Sequence, residues 1–183
     1  MRKTVRYAVT QGLVAGLALT LSACGGDPEP RFEEEPSPTP SEVTSSAPAK
    51  EAWEEKSDDG AIAFVEHWID EFNLAVSTGD TQTLAELSAS ACVTCQNFID
   101  LTDKIYRAGG RVESAGWSVR SLSEPKESEG GTLISANFRQ PEETIWPTSD
   151  SKPDTYSGGP IDYVLTLNWR DKRWQMASMD VLQ

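Results

Sequence analysis

Histidine and cysteine are scarce in this chain of 183 residues, which holds one His and three Cys. A serine hydrolase would have to draw on that single histidine, His67, and no Gly-x-Ser-x-Gly elbow accompanies it. Positive charge is also short, with 16 Lys and Arg against 29 Asp and Glu and a formal net charge of −13. Phosphate backbones require clusters of Lys and Arg, so no nucleic-acid partner is expected. Electrostatic adhesion to anionic headgroups is disfavoured for the same reason. Long hydrophobic runs are missing too. The most apolar stretch, Ala8 to Leu21, is interrupted by Gln11 and by several Gly and Thr, and a spanning helix needs about 20 predominantly apolar residues.

What that stretch does match is a secretory signal. Arg2, Lys3 and Arg6 precede it as a positive n-region, and small residues follow it. Its end, Leu21-Ser22-Ala23-Cys24, resembles a bacterial lipobox. The resemblance implies cleavage after residue 23, alkylation of the Cys24 thiol by diacylglycerol, further acylation with a palmitate-type chain, and anchoring on the extracytoplasmic face of the cell membrane. Each buried CH₂ contributes about 0.8 kcal/mol, so two or three acyl chains hold firmly where one holds marginally. Loss of three basic residues and no acidic ones would take the charge from −13 to −16.

Residues 24–57 follow as a Pro, Glu and Ser-rich segment, GGDPEPRFEEEPSPTPSEVTSSAPAKEAWEEKS after the cysteine. Its composition cannot bury enough apolar area to offset ordering entropy, and it reads as a disordered tether. Trp53 is the exception, placed either to dock on the domain or to begin the first helix. Residues 58–183 have the size of one domain with its own core.

Within that domain the period is first helical and then alternating. Ile62, Val65, Trp68, Ile69, Phe72 and Val76 recur at helical spacing after a cap at Asp58 or Asp59, and Thr78-Gly79-Asp80 stops the helix. Asp80 or Thr81 caps a short second helix through Leu84 and Leu87. A third runs from about Cys95 to Tyr106 and ends at Gly109-Gly110. Residues 112–122, 132–139 and 156–182 read as β, with Ile161, Tyr163, Leu165, Leu167 and Trp169 on one face and Asp162, Thr166 and Asn168 on the other. Trp169 to Trp174 fits a hairpin turning at Asp171-Lys172, with the two indoles paired across it. The fold class is therefore α+β, with N-terminal helices packed on a curved antiparallel sheet.

This order of elements is similar to the cone-shaped, cystatin-like fold of nuclear transport factor 2 and the ketosteroid isomerases. More locally, TCQNFIDLTDKIYRAGGRVESAGWSV, Thr94 to Val119, resembles a family of actinobacterial lipoproteins of unknown function. The resemblance implies a fold, a compartment and, from the habit of this fold, a homodimer. It implies no reaction.

Four places offer chemistry. Cys92 and Cys95 remain once Cys24 is taken as the anchor; in an exported chain the pair reads first as a disulfide, and otherwise as a redox pair or part of a zinc site. His67 lies among Glu66, Asp70 and Glu71 and reads as a surface histidine. Asp162, beside Tyr163, is the one carboxylate with a claim to general-base catalysis, although its phase in the strand turns it toward water and toward an Arg or Lys. Trp146, in the long QPEETIWPTSDSKPDTYSGG segment, is either a plug over the cone mouth or an exposed ligand-loop contact.

No complete catalytic set, metal site or cofactor site assembles from these residues. The expected function is thus that of a lipid-anchored, non-catalytic domain binding a protein, a cell-wall component or a small molecule. An isomerase or dehydratase using the cone cavity is the alternative.

Overall fold

The computed structural model describes residues 50–182, all within the compact unit Ser46–Gln183. The expected signal peptide, the lipidated Cys24 and most of the expected tether lie outside the described residues. A 3₁₀ turn at Ala52–Glu54 leads into α1 (Asp58–Thr78), α2 (Gln82–Leu87) and α3 (Val93–Arg107). Eight strands follow: β1 (Arg111–Ser114), β2 (Ser118–Leu122), β3 (Lys126–Ser128), β4 (Gly131–Gln140), β5 (Glu143–Trp146), β6 (Asp154–Tyr156), β7 (Gly159–Arg170) and β8 (Arg173–Val181).

Helix α1 buries Ala61, Phe64, Val65, Trp68, Ile69, Phe72 and Ala75 along one stripe, as a helical apolar period demands. Its cap is Ser57, whose hydroxyl accepts the Gly60 N–H at 3.0 Å. Asp58 and Asp59 instead occupy the first turn, where carboxylates oppose the helix dipole. Gly79 closes the helix at φ 81°, with the Tyr106 ring 2.4 Å from where a Cβ would stand, so only glycine fits.

The packed structure also begins earlier than residue 58. Trp53 stacks on His67 with ring centroids 4.2 Å apart and planes 8° from parallel, and the Trp174 indole donates to the Glu55 carbonyl at 2.8 Å. The last residues assigned to the tether therefore belong to the domain, and His67 has an aromatic partner rather than only acidic neighbours.

Two antiparallel sheets receive the helices. The larger runs β2-β4-β7-β8, with β3 also paired to β4, and the smaller runs β1-β5-β6. Strand β7 alternates as its sequence indicates, with Tyr163, Leu165 and Leu167 buried and Asp162 exposed. Asp171 and Lys172 take φ of 50° and 61°, the left-handed pair that a two-residue hairpin turn requires, and Trp169 meets Trp174 edge-on at 5.1 Å. The helices lie over the larger sheet. Thr94 of α3 donates to Met179 O on β8 at 2.8 Å, and Ala89 N donates to Met176 O at 2.9 Å.

The smaller sheet departs from expectation. Residues 112–122 form two strands instead of one, because Gly116 at φ 83° turns the chain and Asn73 of α1 clamps Trp117 through both its backbone N–H and its carbonyl, at 2.7 and 2.9 Å. The first half, β1, then leaves the larger sheet and pairs with β5. The long segment around Trp146 is accordingly not a loop. It carries β5 and β6, and Trp146 itself is a strand residue paired with Arg111.

Candidate functional site

The interior between helices and larger sheet is filled by rings rather than left open. Phe72, Phe98, Trp117, Phe138 and Tyr163 pack with neighbouring centroids 5.0 to 6.4 Å apart, contacts in which aromatic edges and faces attract. Trp68 lies behind them, its indole N–H donating to Ser88 Oγ at 3.0 Å and that hydroxyl in turn to Leu84 O at 2.7 Å. Tyr163 is 3% exposed, and burial pushes its phenol above the ordinary value of 10.0.

Open space appears where α3 faces the smaller sheet. Along α3, Phe98, Leu101, Thr102 and Ile105 fall on one stripe at helical spacing. The sheet residues opposite are set by strand alternation: Glu143 and Ile145 of β5 point toward α3, while Thr144 and Trp146 point away. Between them lies a pocket of about 480 Å³ lined by Leu101, Lys104, Ile105, Gln140, Glu143, Ile145, Pro147, Tyr156 and Ser157. It adjoins a chamber of about 120 Å³ that reaches in to Phe72, Val76, Phe98, Val112 and Trp117. Leu101, Ile105, Gln140, Glu143 and Ile145 line both. At the rim, Leu101 and Tyr156 are 52% and 56% exposed, so large apolar side chains frame an entrance that no described residue covers.

Glu143 is the charged group common to both spaces. Its Oε1 accepts the Trp117 indole N–H and the Ser114 hydroxyl, each at 3.3 Å. Its Oε2 takes no hydrogen bond from a described residue. Lys104, exposed on α3, lines only the outer space. Glu143 was missed in the sequence, where it lies between Pro141-Glu142 and Thr144; its one signal is that it stands two residues from Ile145 and so shares its face.

The residues singled out in the sequence are scattered. Asp162 is exposed on the outer face of β7 and accepts from Asn137 Nδ2 at 2.7 Å, so its partner is an amide from β4 and not an Arg or Lys. It lies on the strand face opposite the aromatic interior, so it is not the general base inside the cone that the sequence reading considered. Trp146 lines neither space; it faces away, with the Arg111 guanidinium 3.6 Å over its ring. Ile145 and Pro147 stand at the mouth in its place. Cys92 and Cys95 are wholly buried with their sulfurs 2.01 Å apart, a disulfide distance, and Cys92 Sγ accepts the Cys95 N–H at the start of α3. Sulfurs so enclosed offer no surface to a second thiol.

Among the described residues no cluster of three His, Cys, Asp or Glu side chains could hold a metal, and no helix is long and apolar enough to cross a membrane. A wider hollow of about 780 Å³ lies between α1 and β2, lined by Asp58, Asp59, Glu66, Arg120 and Glu124 among others. Its charged groups are exposed and already solvated, so it lacks the enclosed apolar wall that makes a small-molecule site.

Three helices followed by two antiparallel sheets define an α+β protein. The chain belongs to the family of unknown function DUF6318, which matches residues 46–180. No curated protein matches it. The intermembrane-space region of the chloroplast protein ARC6 superposes with a TM-score of 0.52 at 15% identity, over 70% of this chain and 98% of that one. The Kfla4162 protein from Kribbella flavida gives 0.47 at 9% identity, over 68% and 91%. A putative dehydratase from the NTF2-like family of Streptomyces avermitilis gives 0.43 at 11%, over 68% and 96%. At such identities the likeness concerns the fold alone.

Proposed function

We propose that this protein is a bacterial lipoprotein, anchored through Cys24 on the outer face of the cell membrane, whose domain binds a small, largely apolar molecule between α3 and the β1-β5-β6 sheet. The observation that carries the reading is the apolar-walled pocket of about 480 Å³ continuous with a deeper chamber, with one carboxylate, Glu143, at their junction. Enclosed apolar walls with a few fixed polar groups are what small-molecule sites consist of. The anchor rests on the lipobox-like Leu21-Ser22-Ala23-Cys24. An isomerase or dehydratase in the same pocket is the second reading, favoured only by that carboxylate and requiring a proton donor opposite it.

Intact mass spectrometry on protein extracted gently from its membrane tests both halves. Under denaturing conditions the mass should correspond to a chain beginning at Cys24 with acyl chains added and two hydrogens missing for the Cys92–Cys95 bond. Under native conditions it should exceed that value by one small, reproducible increment. An unprocessed, unacylated chain contradicts the anchor, and equal native and denatured masses contradict the binding reading.

A further inference from the structure

The arrangement around Glu143 selects among apolar ligands. Its Oε1 is already engaged by Trp117 and Ser114, which fixes the carboxylate where the inner and outer spaces meet. Its Oε2 is left to the pocket. An ionised carboxylate can only accept hydrogen bonds, so the ligand group beside it has to donate, and a charged donor gains most because the bond is then charge-assisted. The surroundings strengthen that preference. Phe72, Val76, Phe98, Val112 and Trp117 line the inner chamber, and near such walls charge is less screened than in water. The chain as a whole carries −13, which disfavours approach of an anion.

Size narrows the choice further. The inner chamber, about 120 Å³, is on the scale of one phenyl ring, since an apolar protein cavity of about 150 Å³ holds benzene. Apart from Glu143 its polar lining is only Thr102 and Gln140. We propose, building on the pocket assigned above, that the site takes a compact arylalkyl- or alkylamine: the apolar end enters the chamber and the ammonium donates to Glu143 Oε2. Lys104, the other charged group of the pocket, lies in the outer space, beyond the junction where the amine sits. The rival is a carboxylate ligand held by Lys104.

Two probes that share a ring and differ in charge separate these cases. 2-Phenylethylamine and 3-phenylpropanoate are titrated calorimetrically into the full chain in lipid nanodiscs. The amine should bind at least tenfold more tightly. Glu143→Gln should weaken it at least tenfold, while Glu86→Gln, exposed on α2 away from the pocket, should leave it unchanged. The amide oxygen introduced by Glu143→Gln still accepts from Trp117 and Ser114, so the fold is kept. A tighter propanoate, or amine affinity indifferent to Glu143→Gln, overturns the assignment. Ile145→Trp, which fills the junction, distinguishes this failure from failure of the pocket itself. Two probes that bind equally and are both lost in that variant refute the amine alone; an amine that still binds there refutes the pocket as well.

Discussion

Tyr163 shows at the residue scale how the aromatic filling of the interior has a measurable consequence. Its ring sits against Trp117 and Phe138, with centroids 6.4 and 6.0 Å away, and burial raises its phenol above 10.0. A folded-state value above the unfolded one means that the folded chain binds more protons in alkali. The stabilisation is complete below pH 10 and is lost as pH rises through the folded value. Urea midpoints measured from pH 8 to 11 should therefore fall more steeply in the native protein than in Tyr163→Phe; parallel curves would show that this phenol is not the source. Alternation in β7 made Tyr163 legible as a core residue and Asp162 as a solvent-facing one. Glu143 was not legible, because its partners Trp117 and Ser114 lie 26 and 29 positions away on a strand and a turn that no local pattern brings beside it. Trp146 was misjudged for a related reason: its segment is a strand only because it pairs with β1, which stands some thirty residues earlier.

Among the elements, α1 and the β7-β8 hairpin were read almost as they stand, since α1 and β7 carry long periods with their own stop signals, although the hairpin ladder shifts register between Thr166 and Leu167. The smaller sheet was not. Its strands are four, four and three residues long, too short for alternation to rise above the prolines and serines around them, and β1 meets β5 only after some thirty intervening residues. Ser57 in place of Asp58 or Asp59 as the α1 cap is a shift of one or two positions among three residues with similar capping preference. At the start of α3, Cys92 and Cys95 close a short loop against the core. Such a loop contributes about 2 kcal/mol by restricting the unfolded chain. Reduction under denaturing conditions followed by refolding in reductant should lower the melting temperature by several degrees, and an unchanged melt would mean that packing alone holds this turn.

At the scale of the whole molecule the central claim is that an α+β domain, its interior closed by aromatic rings, keeps an accessible ligand site to one side, between α3 and the second sheet. Ile145 is the residue on which that claim turns, because it lines both spaces and belongs to a strand that accepts a larger ring without loss of β preference. The deciding measurement compares native masses of the wild-type protein and Ile145→Trp, each isolated gently from its native cells in the same way, with circular dichroism confirming that both are folded. The account predicts a small mass increment on the wild type that is absent from the variant. An increment that persists unchanged in a folded Ile145→Trp protein would place the ligand elsewhere and contradict the account.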